Sequence, residues 1–261
     1  LGVSMEPATR ATADAYRTNY ENPLYVHRGL MPPTPTVATQ SSQQREPLVF
    51  SVGSWHGVRR FVVLRDVAGE DMESDNLHST AFRFFANADA VFFMFDPLRV
   101  QAIRDQLQDL LPAQMFGGGD PRGVLSNVLT AVGAGTPRLA VILSKFDALR
   151  TLREVQGSDW SLVMSNSGAA YLRDTSDGSH YDAADGALLH EEVRSLLMKL
   201  NGGAIVAAVE NPSTERRLDH RYFAVSALGH PPSGNRLDAR GIAPFRCADP
   251  VRWITSTFGM L

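Results

Sequence analysis

The sequence predicts an α/β fold: a mostly parallel sheet with helices on both faces and one antiparallel edge hairpin. Three observations lead there. Near-continuous apolar runs, Ala90-Val91-Phe92-Phe93-Met94-Phe95 and Leu139-Ala140-Val141-Ile142-Leu143, suit strands buried on both faces. Helix-length segments alternate with these runs, the pattern of parallel strands joined by crossovers. Two further strand-like runs, Pro47 to Val52 and Arg60 to Asp66, flank the turn-like Gly53-Ser54-Trp55-His56-Gly57 and predict a hairpin.

Leu1 to Met5 is a short apolar strand candidate, and an opening without an initiator Met reads as a strand entered from upstream, the expectation for a fragment. Glu6 to Tyr20 is Ala-rich and predicts a helix with Pro7 in its first turn. Asn22 to Gln44 is rich in Pro, Thr, Ser and Gln, so a long switch-like loop is expected over 22–46. Past the hairpin and the Asp89 to Asp96 strand, Pro97 starts a helix to about Leu111. After the break at Gly117-Gly118-Gly119-Asp120-Pro121 a second helix runs to about Val132. Ser158 to Asp185 is polar and irregular and reads as an insertion, over 158–186, or a partner-binding segment. Leu188 to Val209 is mostly helical with an interruption at Gly202-Gly203. Arg221 to Ser226 is the last strand and Pro250 to Phe258 a closing helix.

The 261 residues suit one large domain over 1–261, with 44% apolar and 20% charged residues as in ordinary globular chains. A net charge of -3 gives no support for a nucleic-acid surface or a polybasic membrane patch. The longest apolar stretch, Ala88 to Phe95, is strand-sized and far short of the roughly 20 residues of a spanning helix. One cysteine, Cys247, rules out a disulfide within the chain and fits a reducing, cytoplasmic setting, where it reads as a small apolar filler. The histidines show no metal-ligand spacing.

Three short motifs close apolar runs. Asp66-Val67-Ala68-Gly69-Glu70 follows Phe61 to Leu64. A carboxylate at the carboxyl end of a strand can bind Mg²⁺-bound water, and Gly69 allows a close backbone approach to a phosphate. The bland alternative is a strand-ending turn with an acidic cap. Ser144-Lys145-Phe146-Asp147 follows Leu139 to Leu143; Asp147 could take both N–H groups of guanine with the Lys145 stem against the base, or could simply open a helix. Ser226-Ala227-Leu228 follows the last strand, where small residues are common. Thr34 and Thr36 precede the hairpin, and either hydroxyl could ligate Mg²⁺ or belong to plain Pro/Thr linker chemistry. The chain has two lysines, Lys145 and Lys199, neither after a glycine, so it contains no GxxxxGK[ST] phosphate loop.

These motifs in this order resemble the bacterial double-GTPase domains of the translation-factor-class P-loop GTPases. Ala88-Asp89-Ala90-Val91-Phe92-Phe93-Met94-Phe95-Asp96-Pro97, Arg221 to Gly229 and Asp249-Pro250-Val251-Arg252-Trp253 carry the same resemblance. The match is scattered over almost the whole chain. It implies a P-loop GTPase-like fold, GTP/GDP and Mg²⁺ as ligands, and GTP hydrolysis by the intact protein. The resemblance gives Asp66 and Thr34 or Thr36 to Mg²⁺, Gly69 to the γ-phosphate and Glu70 to the attacking water. It gives Lys145 and Asp147 to guanine, and Ser226 and Ala227 to support of the base. In that family a strand, a phosphate loop and a first helix precede the segment resembling Leu1 to Tyr25. Without them the isolated chain is expected to bind GTP weakly or not at all. Two readings of different class follow: a GTPase switch domain, or a pseudo-GTPase module that works by protein interaction. A third, weaker reading is an ATP-using enzyme in which Asp66 acts on the metal. The first two expect a protein partner.

Overall fold

The computed structural model describes residues 5–31, 34, 36, 46–73, 80–111, 120–174, 180–212, 217–232 and 236–260. The strand expected over Leu1 to Met5 lies, but for Met5, outside the described residues, as does the Gly117-Gly118-Gly119 break.

The chain opens with a two-residue strand, β1 (Glu6–Pro7), where the sequence suggested a helix start. Helix α1 (Arg10–Tyr16) begins later because the Thr9 hydroxyl accepts the Thr12 N–H and caps it. That cap contributes about 1 kcal/mol. Arg17–Val26 continues as a π-helical segment containing Pro23, and the His27 N–H reaches five residues back to the Asn22 carbonyl. The long loop therefore begins after this segment rather than at Asn22.

Strands β2 (Leu48–Trp55) and β3 (Val58–Leu64) form the expected hairpin, tighter than the sequence suggested. Its turn is His56-Gly57, both at positive φ (50° and 77°), the geometry of a two-residue turn matched to strand twist. Gly53 lies instead in an irregularity of β2 between Ser51 and Ser54. β1 pairs with β2, giving an antiparallel sheet in the order β1-β2-β3, with Tyr16 of α1 edge-on to Phe50.

After α2 (Gly69–Glu73) and a 3₁₀ segment, Thr80–Asn87, the chain enters β4 (Ala90–Phe95). The helix expected from Pro97 is split into a 3₁₀ turn, Pro97–Arg99, and α3 (Gln101–Leu107), with Val100 extended between them. Helix α4 (Pro121–Val132), capped by Asp120, leads to β5 (Arg138–Leu143). Helices α5 (Phe146–Arg150), α6 (Asp159–Ser165), α7 (Ala183–Lys199) and α8 (Gly203–Glu210) precede β6 (His220–Ala224), and α9 (Asp249–Thr257) closes the described chain. Strands β4, β5 and β6 make a second, parallel sheet in that order.

The fold is thus mixed α/β, and two expectations need correction. The hairpin belongs to a separate antiparallel sheet, so three of the described strands, not one edge pair, lie outside the parallel sheet. The expected irregular insertion over 158–186 is in part core: α6 and the 3₁₀ turn Ala170–Leu172 bury Trp160, Met164 and Tyr171, and α7 starts at Ala183 behind its Asp182 cap.

The core lies around the parallel sheet. Leu139, Val141, Leu143, Ile103, Leu125 and Leu189 are almost fully buried, each worth roughly 1.5–3 kcal/mol of apolar transfer. Met72 of α2 joins this core, and the Asn127 side-chain amide of α4 donates to its carbonyl at 2.6 Å. β4 departs from the expectation of burial on both faces. Among the described residues it is an edge strand, and Phe92 and Met94 are exposed while Val91, Phe93 and Phe95 are buried.

Candidate functional site

Parallel register sets the residues that follow β4, β5 and β6 side by side. Phe95 faces Leu143, and Leu143 faces Ala224. The ladder runs on past the strands: Ser144 N–H donates to the Phe95 carbonyl at 2.9 Å, and Phe146 N–H to the Val225 carbonyl at 3.0 Å. Asp96, Lys145, Asp147 and Ser226 are therefore neighbours by construction.

Their side chains engage one another. The Ser226 hydroxyl donates to Asp147 Oδ1 at 2.6 Å and accepts the Gly229 N–H at 2.8 Å. Ser226 is fully buried, so these bonds satisfy a hydroxyl that would otherwise be costly. Gly229 is required here: its φ is +80°, and a Cβ would stand 2.2 Å from the Ala243 carbonyl oxygen. Lys145 sits in the left-handed region (φ 51°) and places its ammonium 3.2 Å from Asp96 Oδ2. The other Asp96 oxygen caps the Leu98 N–H. With Lys145 mostly exposed, this ion pair is worth no more than about 1 kcal/mol. Ala227 is exposed. Cys247, half-buried, points its thiol at the Ser226 carbonyl, and burial pushes that thiol up from its ordinary value.

The second set of expected residues lies at the end of β3. Thr34 donates to Asp66 Oδ2 at 2.8 Å, so those two come together. Thr36 is half-buried nearby in sequence. Gly69 and Glu70 open α2 and are exposed, and the space where a Gly69 Cβ would point is open. Among the described residues, no three His, Cys, Asp or Glu side chains converge as a metal-binding group.

Sequence reasoning missed a buried charged group that makes several hydrogen bonds. Arg246 is buried, with φ 51°. Its Nε donates to the carbonyls of Ala170 and Arg173 (3.1 and 2.8 Å). Nη1 donates to Asp249 (2.5 Å) and Nη2 to Asp185 (2.7 Å). Burial pushes the Asp249 carboxyl up, and the guanidinium beside it works in the opposite direction. This group ties the turn after α6, the start of α7 and the start of α9. The one signal in the sequence was the i,i+3 spacing of Arg246 and Asp249. A second missed cluster joins α7 to β6: His190 Nδ1 accepts the Tyr222 N–H at 3.1 Å and its ring stacks on Tyr222.

A curated chain from Mycolicibacterium smegmatis is 75% identical over all 261 residues, which span 68% of its length. It is described as "Putative ESX-1 scaffolding and assembly protein SaeC". This chain belongs to the SaeC family. No family model matches it, and no solved structure matches it either.

The relationship corrects the functional expectation. The SaeC relative is described as a scaffolding and assembly protein, not as a GTPase. The double-GTPase resemblance is overturned with it, and so are GTP hydrolysis, the pseudo-GTPase reading and GTP/GDP with Mg²⁺ as cofactors. The physical reason for the misreading is visible in the bonds above. A parallel sheet puts small and acidic residues at neighbouring strand ends whether or not a nucleotide is held there. Here Asp147 is engaged by Ser226, Lys145 by Asp96, and Asp66 by Thr34.

Proposed function

We propose that this chain is a scaffolding and assembly component of an ESX-1-type secretion system, acting in the cytoplasm through contacts with other proteins. The observation that carries this reading is the 75% identity to the SaeC relative over all 261 residues. Two features of the molecule support it. No helix among the described residues is long and apolar enough to cross a membrane. The hairpin exposes large apolar side chains, Val58, Phe61, Val63 and Leu64, as contact surfaces do.

In this reading residues 1–261 act as one folded unit, and Asp66, Thr34, Thr36, Gly69, Glu70, Lys145, Asp147, Ser226 and Ala227 shape and brace the loops at the strand ends. The test is replacement of the gene in its native host, scored by export of ESX-1 substrates and by co-purification of the full-length protein with secretion components. Loss of export on deletion, restored by the intact gene, with co-purification, is the expected result. Unchanged export and no co-purification would refute the reading.

A further inference from the structure

The edge formed by β3 is one of two open apolar sheet edges among the described residues, the other being β4. Among the described residues, sheet order leaves one side of β3 without a neighbouring strand. An edge strand ordinarily buries one face and shows polar residues on the other. In β3 consecutive residues point to opposite faces, yet Val63 (59% exposed) and Leu64 (44%) are both open, as is Phe61 (49%). The strand contains no proline, and the sheet's irregularity lies on β2, away from this edge. A regular, apolar, unpaired edge is a ready template for strand addition.

Charge decides what fits. Arg59 and Arg60 lie on the strand, Arg65 and Asp66 just beyond it offset each other, and β2 carries no charged residue. Among the described residues, Arg59 lies over the Phe61 ring and Arg65 over the Phe84 ring, and neither Arg59 nor Arg60 has an ion pair. The edge is thus positive on a chain whose net charge is -3. A second copy pairing β3 with β3 would bring further arginines and no carboxylate of the strand to meet Arg59 and Arg60. The other open apolar edge, β4, is flanked by Asp89 and Asp96 and would repel an acidic strand.

We infer that the free edge of β3 is a docking site for an extended acidic-apolar segment of a partner protein, which adds to the β1-β2-β3 sheet as a further strand. Main-chain hydrogen bonds supply the attachment; Phe61 and Val63 supply apolar contact; Arg59 and Arg60 select carboxylates. This rests on the scaffolding reading and names the chemistry of the partner.

The test places the photo-cross-linking residue p-benzoylphenylalanine at position 61 of the full-length protein in its native host, and identifies the attached peptide by mass spectrometry. The expected adduct is to a different polypeptide, at a segment of alternating apolar residues with Asp or Glu among them. Arg60→Glu should cut its yield roughly fivefold. A thermal melt like that of the unsubstituted protein checks that both variants fold. An adduct to this same polypeptide (Asp89 to Asp96 of a second copy included), an adduct to a basic segment, or no adduct overturns the inference. Failure here with co-purification intact removes the docking site and leaves the scaffolding reading. Absence of co-purification by the unsubstituted protein removes that reading itself.

Discussion

β5 and β3 are both short apolar strands, and they have opposite fates. In β5 every residue from Leu139 to Leu143 is buried, because β4 and β6 pair with its two edges and helices cover both faces. In β3 only Val62 is even half-buried, because β2 pairs with one edge and little covers the rest. The same side-chain chemistry is stability in one strand and available contact surface in the other. What separates them is the number of neighbours, which is a tertiary property. The contrast also divides the molecule into two parts, a parallel-sheet core that sets the shape and an antiparallel sheet with apolar surface left open.

Substitutions can break that division, beginning with the largest expected effect. Arg246→Ala should destabilise the fold by about 3–5 kcal/mol, since it removes the shortest guanidinium bonds of Asp249 and Asp185 and leaves these shielded carboxylates the longer contacts to Arg252 (3.7 Å) and Arg173 (3.4 Å). Equilibrium denaturation measures it, and a loss under about 1 kcal/mol would show that the buried group does not hold α7 and α9 in place. Next, Leu143→Ala in β5 should cost about 2–5 kcal/mol through lost transfer energy and a residual cavity. Val63→Ala in β3 should stay within roughly 0.5 kcal/mol. Equal losses at the two positions would erase the distinction between core strand and contact strand.

The smallest effect is a pH dependence at the α7–β6 junction. Burial lowers the His190 pKa below its ordinary value of 6.5, and the neutral ring is the form that accepts the Tyr222 N–H. The unfolded chain therefore takes up this proton first. His190 contributes stability that is complete above pH 6.5 and is lost as pH falls from there through the lowered folded value. His190→Asn should flatten the stability profile in that window. It should leave in place the more acidic loss from Glu210, whose carboxyl Arg194 holds below its usual range. A profile unchanged by the substitution would contradict the role given to the ring.

Much of the core was legible in the sequence, and its exceptions have physical causes. The Leu139 to Leu143 run announced a doubly covered strand, and Gly202-Gly203 announced the break between α7 and α8. β1 was not legible, because two residues carry no periodicity and exist as a strand only by pairing with Ser51 and Phe50. The apolar run of β4 resembled that of β5, and nothing in it says that no described strand pairs with one of its edges. At the strand ends, the positions of Lys145, Asp147 and Ser226 were readable, but their roles were not. The same residue types suit a guanine clamp and the self-satisfied Ser226–Asp147 and Lys145–Asp96 pairs found here. Arg246 escaped notice because an arginine in an irregular segment gives no pattern until Asp185 and Asp249 are brought to it.

The most direct measurement compares the full-length protein with its Phe61→Lys, Val63→Lys variant in the native host, by quantitative co-purification of secretion components and a thermal melt of each purified protein. Both side chains are exposed, so the melts should coincide while recovery of the components falls sharply. Coincident melts with undiminished recovery would contradict the account, placing the assembly contacts elsewhere than on the open antiparallel sheet.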